Sequence, residues 1–101
     1  MIKHIVMWKL KESAEGNSRE TNARLVKQKL DALNGLVPGM LELEVGLGME
    51  GGGDACDVAL YTVFEDEGAL AAYQEHPDHK AVFPFIGAVR ETRSVTDYVI
   101  D

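Results

Sequence analysis

The sequence predicts a single α+β domain in which a four-stranded antiparallel sheet carries its helices on one face. Three observations predict it. Four short segments alternate in hydropathy with the period of a strand, two longer stretches repeat apolar residues at helical spacing, and the order is strand, helix, strand, strand, helix, strand.

Ile2 to Leu10 reads as the first strand, with Ile2, His4, Val6, Trp8 and Leu10 on one face and Lys3, Ile5, Met7 and Lys9 on the other. Asn17 offers an N-cap with Glu20 three residues on, and Ala23, Val26, Leu30 and Leu33 recur at helical spacing until Gly35 ends the helix. Pro38-Gly39 is a turn signal. Leu41, Leu43, Val45 and Leu47 then alternate with Glu42, Glu44 and Gly46 as a second strand, whose outer face should be wet or at an edge. The string Gly46-Leu47-Gly48-Met49-Glu50-Gly51 has the spacing of a dinucleotide-binding fingerprint. That motif needs a helix N-terminus at once, whereas Gly52-Gly53-Asp54 and another strand follow, so Gly46 to Gly53 reads as a mobile hairpin loop. From Asp57 to Phe64, Val58, Leu60, Thr62 and Phe64 face one way and Ala59, Tyr61 and Val63 the other. Asp66 can cap a helix through Leu70 and Tyr73 that ends near Gln74. Val82, Phe85, Ile86 and Val89 mark a further helical piece, interrupted or restarted at Pro84. The last strand is Ser94 to Ile100, with Val95, Asp97 and Val99 opposite Thr96, Tyr98 and Ile100. This order is the split βαβ arrangement of ferredoxin-like domains.

The first and third strands are apolar on both faces, which a sheet covered by helices on one side does not need. The simplest account is that Ile5, Met7, Ala59, Tyr61 and Val63 pack on the same surface of a second copy, giving a homodimer. A chain of 101 residues is one domain, residues 1–101, and buries only roughly 60–65% of its unfolded surface alone, so a partner subunit would add stability. With 17 acidic against 10 basic residues the net charge is −7, which opposes a phosphate backbone and excludes nucleic acid as the expected partner. No apolar run approaches a membrane span, so the expectation is a soluble domain with no membrane partner. The lone Cys56 can form no internal disulfide, and no charged-then-apolar leader opens the chain; both point to a reducing cytoplasm. Glycines and acidic residues around Cys56 would not lower its pKa, which argues against a nucleophile.

The chemistry concentrates in Tyr73-Gln74-Glu75-His76-Pro77-Asp78-His79. Pro77 lacks an N–H and biases His76 away from the α region, so one helix must stop and a second begin there. His79 then falls in the first turn of the second helix, where the positive end of the helix dipole keeps the ring neutral and usable as a base. Tyr73, across the break, can supply a hydroxyl. The structural alternative is equally open: a histidine beside a proline break can satisfy orphan helix-end groups, and Tyr73 can be core. His4 reads as a core or pocket-wall histidine and Asp97 as part of the sheet or dimer. A metal site from Glu75, His76 and His79 is not expected, because Pro77 disrupts the helix that would align them and no fourth ligand is evident.

Ile2-Lys3-His4-Ile5-Val6-Met7-Trp8-Lys9, Val45-Gly46-Leu47, Leu70 through His79 and Val95-Thr96-Asp97-Tyr98 together resemble the stress-responsive A/B barrel, or Dabb, family across nearly the whole chain. The resemblance implies a dimeric α+β barrel, two sheets closed face to face, with a pocket in each subunit between its sheet and helices. Relatives include a plant cyclase that closes a linear polyketide without cofactor, using a tyrosine and a histidine that fall on Tyr73 and His79; a pocket-side histidine falls on His4. In that reading neutral His79 abstracts a proton next to a carbonyl while the Tyr73 hydroxyl holds the developing enolate, and His4, Val6, Trp8, Leu60 and His76 contact the substrate. Bulky Trp8 and a first helix carrying Asn22, Arg24 and Lys27 rather than aromatics depart from the cyclase, which argues against a long alkyl polyketide.

Two readings follow. One is a homodimer that binds a small hydrophobic or aromatic ligand, with a stress-related role; the other is a cofactor-free cyclase or isomerase that uses Tyr73 and His79. A cofactor-independent monooxygenase rests on fold analogy alone. An open apolar cavity between Tyr73, His79 and His4 with both polar groups turned inward would favour the enzyme, and a filled core the binding protein.

Overall fold

The computed structural model describes residues 1–49 and 53–101. Its sheet runs in the order β4-β5-β1-β6 and is antiparallel throughout, built from β1 (Ile2–Leu10), β4 (Met40–Leu47), β5 (Val58–Phe64) and β6 (Arg90–Val99). Between β1 and β4 lie a short hairpin, β2 (Ser13–Ala14) and β3 (Asn17–Ser18), and the helix α1 (Arg19–Asp31). Between β5 and β6 lie α2 (Glu67–Glu75), α3 (Pro77–Lys80) and α4 (Phe83–Val89). This is the ferredoxin-like fold expected from the element order. Among the described residues no helix is long and apolar enough to cross a membrane.

Strand periodicity decides the layers. In register, Val6 pairs with Leu60 and Trp8 with Val58, and this face packs on Val26 and Leu30 of α1 and on Ile86 and Val89 of α4 as one apolar core. The opposite face carries Ile5 against Tyr61 and Met7 against Ala59, the doubly apolar pattern read from the sequence. In the single chain that face is open at Met7, 42% exposed, and already closed at Val63, 5% exposed.

Local chemistry sets the ends. Ser18, not Asn17, caps α1 by accepting from the Thr21 N–H at 3.3 Å. Asn17 instead donates to Asn22, whose amide donates to the Ala14 carbonyl at 3.0 Å, so fully buried Asn22 ties the hairpin to the helix. That hairpin turns through Glu15 and Gly16, both at positive φ. It is too short to show a period, and the sequence reading did not contain it. Asp66 caps α2 as expected, accepting from the Ala69 N–H at 2.9 Å. The last strand begins at Arg90, four residues earlier than its alternation indicated, because charged residues lead it.

Two glycines are fixed by close contacts. Part of the dinucleotide-like string falls on residues 50–52, outside the described residues. Within the described part, the Gly48 N–H donates to the Asp57 carbonyl at 2.8 Å, and an added Cβ would run into the Cys56 carbonyl. Gly48 therefore lets two chain segments close up. Gly39 sits at φ +87°, where an added Cβ would lie 2.8 Å from the Ala69 Cβ. Gly39→Ala should thus destabilise the fold by roughly 2 kcal/mol or more, from the left-handed conformation and the overlap together. Urea unfolding should show a lower midpoint with an unchanged slope, and a midpoint equal to wild type would show that α2 yields freely.

Candidate functional site

The site starts from the helix break. His76 lies at φ −63° and ψ 135°, ending α2 and capping α3, while Pro77 takes the first position of α3, where no N–H is needed. The His76 Nδ1 accepts from the Asp78 N–H at 3.0 Å. This histidine therefore satisfies a helix-end group, the structural alternative left open by the sequence, and it is not among the residues that line the cleft described below. Turning the chain here places His79 inward, at 9% exposed.

His79 meets an aromatic column. Its ring centroid is 4.4 Å from Tyr73 and 4.7 Å from Phe83, and Tyr73 in turn lies 5.2 Å from Phe64. His4 approaches Tyr73 from the sheet, ring centroids 6.4 Å apart. Its Nδ1 is hydrogen-bonded to the Asp97 carboxylate, and its backbone carbonyl accepts from the Thr62 hydroxyl at 2.9 Å. The contact with Asp97 fixes the orientation of the His4 ring. Asp97, read from the sequence as sheet or dimer structure, is thus the partner of a cleft histidine; it lies directly opposite His4 in the β1–β6 register.

A cleft of about 520 Å³ opens between the sheet and helices. Its floor is His4, Val6, Trp8 and Leu60, all four expected there, and His79, Val82, Phe83 and Ile86 wall the helical side. Tyr73 is fully buried and is not part of the lining; it stands behind His79. Three buried polar atoms in and behind the wall have no hydrogen-bond partner among the described residues: Trp8 Nε1, His79 Nδ1 and the Tyr73 hydroxyl. Each such atom costs about 1–3 kcal/mol if it stays unmatched. Among the described residues no group of three or more His, Cys, Asp or Glu side chains is placed to hold a metal ion.

Burial also sets the charge states. It pushes the Tyr73 hydroxyl up to about 12, so the group is a donor and not a phenolate at neutral pH. It pushes the His79 imidazole below its ordinary 6.5; positive charge on His4 and Arg93 adds to this, and the Gln74 backbone pulls the other way. Desolvation leads here rather than the helix dipole invoked from the sequence, since a four-residue helix has little dipole. Sequence reasoning missed Arg90 and Arg93, which also line the cleft. Arg93 was legible as the residue opposite Trp8 once the register was known.

The family described as Stress Responsive A/B Barrel Domain has a model that matches residues 2–100. No curated protein sequence matches the chain. Among solved structures, a dimeric ferredoxin-like protein of unknown function from Bacteroides fragilis is 28% identical, with 98% of this chain and 95% of that one covered and a TM-score of 0.80. A dimeric ferredoxin-like protein from Thermobifida fusca is 21% identical over 98% and 90% of the two chains, TM-score 0.82. A hydroxynitrile lyase from Passiflora edulis is 19% identical over 99% and 93%, TM-score 0.75. At such identities the latter two speak for the fold alone.

The depressed His79 pKa has a consequence for stability. Unfolding returns the ring to about 6.5, so below that pH the unfolded chain binds more protons than the folded one. The stability tied to neutral His79 is complete above about pH 6.5 and is lost as the pH falls through the lower folded value. Between about pH 7.5 and pH 5, wild type should lose more unfolding free energy than His79→Gln. Urea titrations of both proteins at each pH measure the difference, and equal losses would mean that burial does not hold this ring neutral.

Proposed function

The chain belongs to the stress responsive A/B barrel domain family, and we propose that it is a homodimeric protein that binds a small apolar or aromatic ligand in the cleft between sheet and helices. The observation that carries this reading is the cleft itself: apolar on most of its surface, with unpartnered buried polar atoms on Trp8 and His79 at its wall. An apolar body would replace water against Val6, Trp8, Leu60 and Ile86. Tyr73, behind His79, supports the ring rather than touching the ligand. The lone Cys56 and the acidic balance fit a cytoplasmic setting.

The dimer follows from the second sheet face. Ile5, Met7, Ala59, Tyr61 and Val63 form an apolar strip away from the helices, and the Bacteroides fragilis and Thermobifida fusca neighbours are described as dimeric. Two such strips face to face would close a barrel and remove the open surface. Sedimentation at micromolar concentration should give twice the chain mass. Tyr61→Glu should shift it towards monomer by placing a charge in a desolvated interface; a wild-type monomer would end the barrel reading.

A second reading, a cofactor-free lyase or isomerase, is favoured by one observation: a neutral histidine lies in the cleft, in ring contact with a tyrosine that keeps its proton. His79 would take a proton next to a carbonyl, and general-base help of this kind is worth about 10²–10⁴-fold. His4, oriented by Asp97, is a second candidate base on the opposite wall. The hydroxynitrile lyase neighbour indicates that the fold accommodates lyases, which is fold-level analogy.

One experiment tests both readings. Aromatic ketones and β-diketones should raise the melting temperature at pH 8, with the shift shrinking towards about pH 5 as His79 gains its proton. His79→Ala should remove that pH dependence. If the ketone's α-proton exchanges in D₂O with wild type and not with His79→Ala, the enzyme reading is favoured. Binding without exchange favours the binding protein, and no shift with any compound counts against both.

A further inference from the structure

β1 and β6 run in strict alternation from Ile2 opposite Val99 to Trp8 opposite Arg93, and the register then shifts between Lys9 and Leu10. Unshifted, Leu10 would face Glu91, and a carboxylate would stand on the helix side of the sheet. The shift makes Leu10 face Arg90 instead. A bulge of this kind re-aims side chains, and its effect here is an exchange of sign. Arg90 joins Arg93 in lining the cleft, while Glu91 is not part of that lining and stands 3.9 Å from Lys9.

Neither guanidinium has a carboxylate partner. Among the described residues the ion pairs are His4–Asp97, Lys9–Glu91, Lys27–Asp31 and Lys80–Glu75, and no side-chain hydrogen bond involves Arg90 or Arg93. In a chain with 17 acidic residues against 10 basic ones, two unpaired arginines on the wall of one cleft are a local reversal of the field. The nearest acid on that face of β6, Asp97, is held by His4. The remaining titratable group on the wall, His79, is neutral at pH 7 and opposes no anion.

We propose that the cleft selects ligands that carry a carboxylate on an apolar body, with Arg93 and Arg90 taking the carboxylate at the mouth while the body lies over Val6, Trp8 and Leu60. The proposal rests on the ligand-binding reading above and adds to it the charge of the ligand. A guanidinium fork matches a carboxylate with two parallel hydrogen bonds. The net charge of −7 works against ligands bearing several negative charges, such as nucleotides, and leaves a single acid group as the match.

Trp8, the one tryptophan in the sequence, lines the cleft and reports occupancy by its fluorescence. Two matched pairs separate an aromatic from an aliphatic body: 2-naphthoate with 2-naphthamide, and octanoate with octanamide. At pH 7.5 in low salt, at least one carboxylate should bind about tenfold tighter than its amide, and added salt should erode the preference. Arg93→Gln with Arg90→Gln should bring the ratio towards one. Arg93→Lys should keep part of the preference, and Glu91→Gln, on the far side of the bulge, should leave it intact. Should the amide bind as tightly as the carboxylate in both pairs, the charge inference fails and the apolar-ligand reading stands. If no member of either pair perturbs Trp8, both are overturned.

Discussion

Pro77 cannot donate a backbone hydrogen bond and disfavours the α region for the residue before it, and the helical layer is arranged around that restriction. Had the chain continued as one helix from Glu67, the residues after Glu75 would have kept their places on its surface. Instead His76 adopts an extended conformation and spends its ring on the Asp78 N–H, and the chain re-enters a short turn that drives His79 against Tyr73. The cleft wall, the unmatched nitrogen of His79 and the neutrality of its ring all descend from this change of direction. Ring contacts from Phe64 through Tyr73 to His79 and Phe83 then hold the break in place, so that a weak point in secondary structure becomes a fixed point in tertiary structure.

Much of the fold was legible because it obeys the two elementary periods. His4, Val6, Trp8 and Leu60 were assigned to the cleft from alternation and resemblance, and the register puts them there. What escaped the sequence were features that depend on pairing across strands. Asp97 could be recognised as the partner of His4 only when β6 was set beside β1. Arg90 was hidden more deeply, since simple alternation along β6 places Glu91 on the cleft side. The Ser13–Ser18 hairpin fell below the length at which any period can be read, and the role of its anchor, Asn22, depends on two partners that the sequence does not pair with it. Tyr73 and His79 were singled out correctly as neighbours, but their ranks differ: His79 meets the cleft, whereas Tyr73 is the packed residue behind it.

Electrostatics in this domain divides by depth. At the surface, the ion pairs Lys27–Asp31 and Lys80–Glu75 are exposed and contribute little each. Around the cleft, His4 is matched by Asp97, and burial disfavours the charged form of His79. The cleft can therefore be largely apolar and still hold two imidazoles.

The bulge in β6 also bears on how such a cleft could change over evolutionary time. Charge at a binding site is usually altered one substitution at a time, each carrying its own packing consequence. Here Arg90 faces Leu10 only because of the extra residue, so straightening the bulge at constant chain length would bring Glu91 opposite Leu10 in its place. The mouth would then carry one group of each sign, with the rest of the cleft wall left in place. Sites built beside a bulge thus hold their opposite preference in reserve, reachable by a change of register alone.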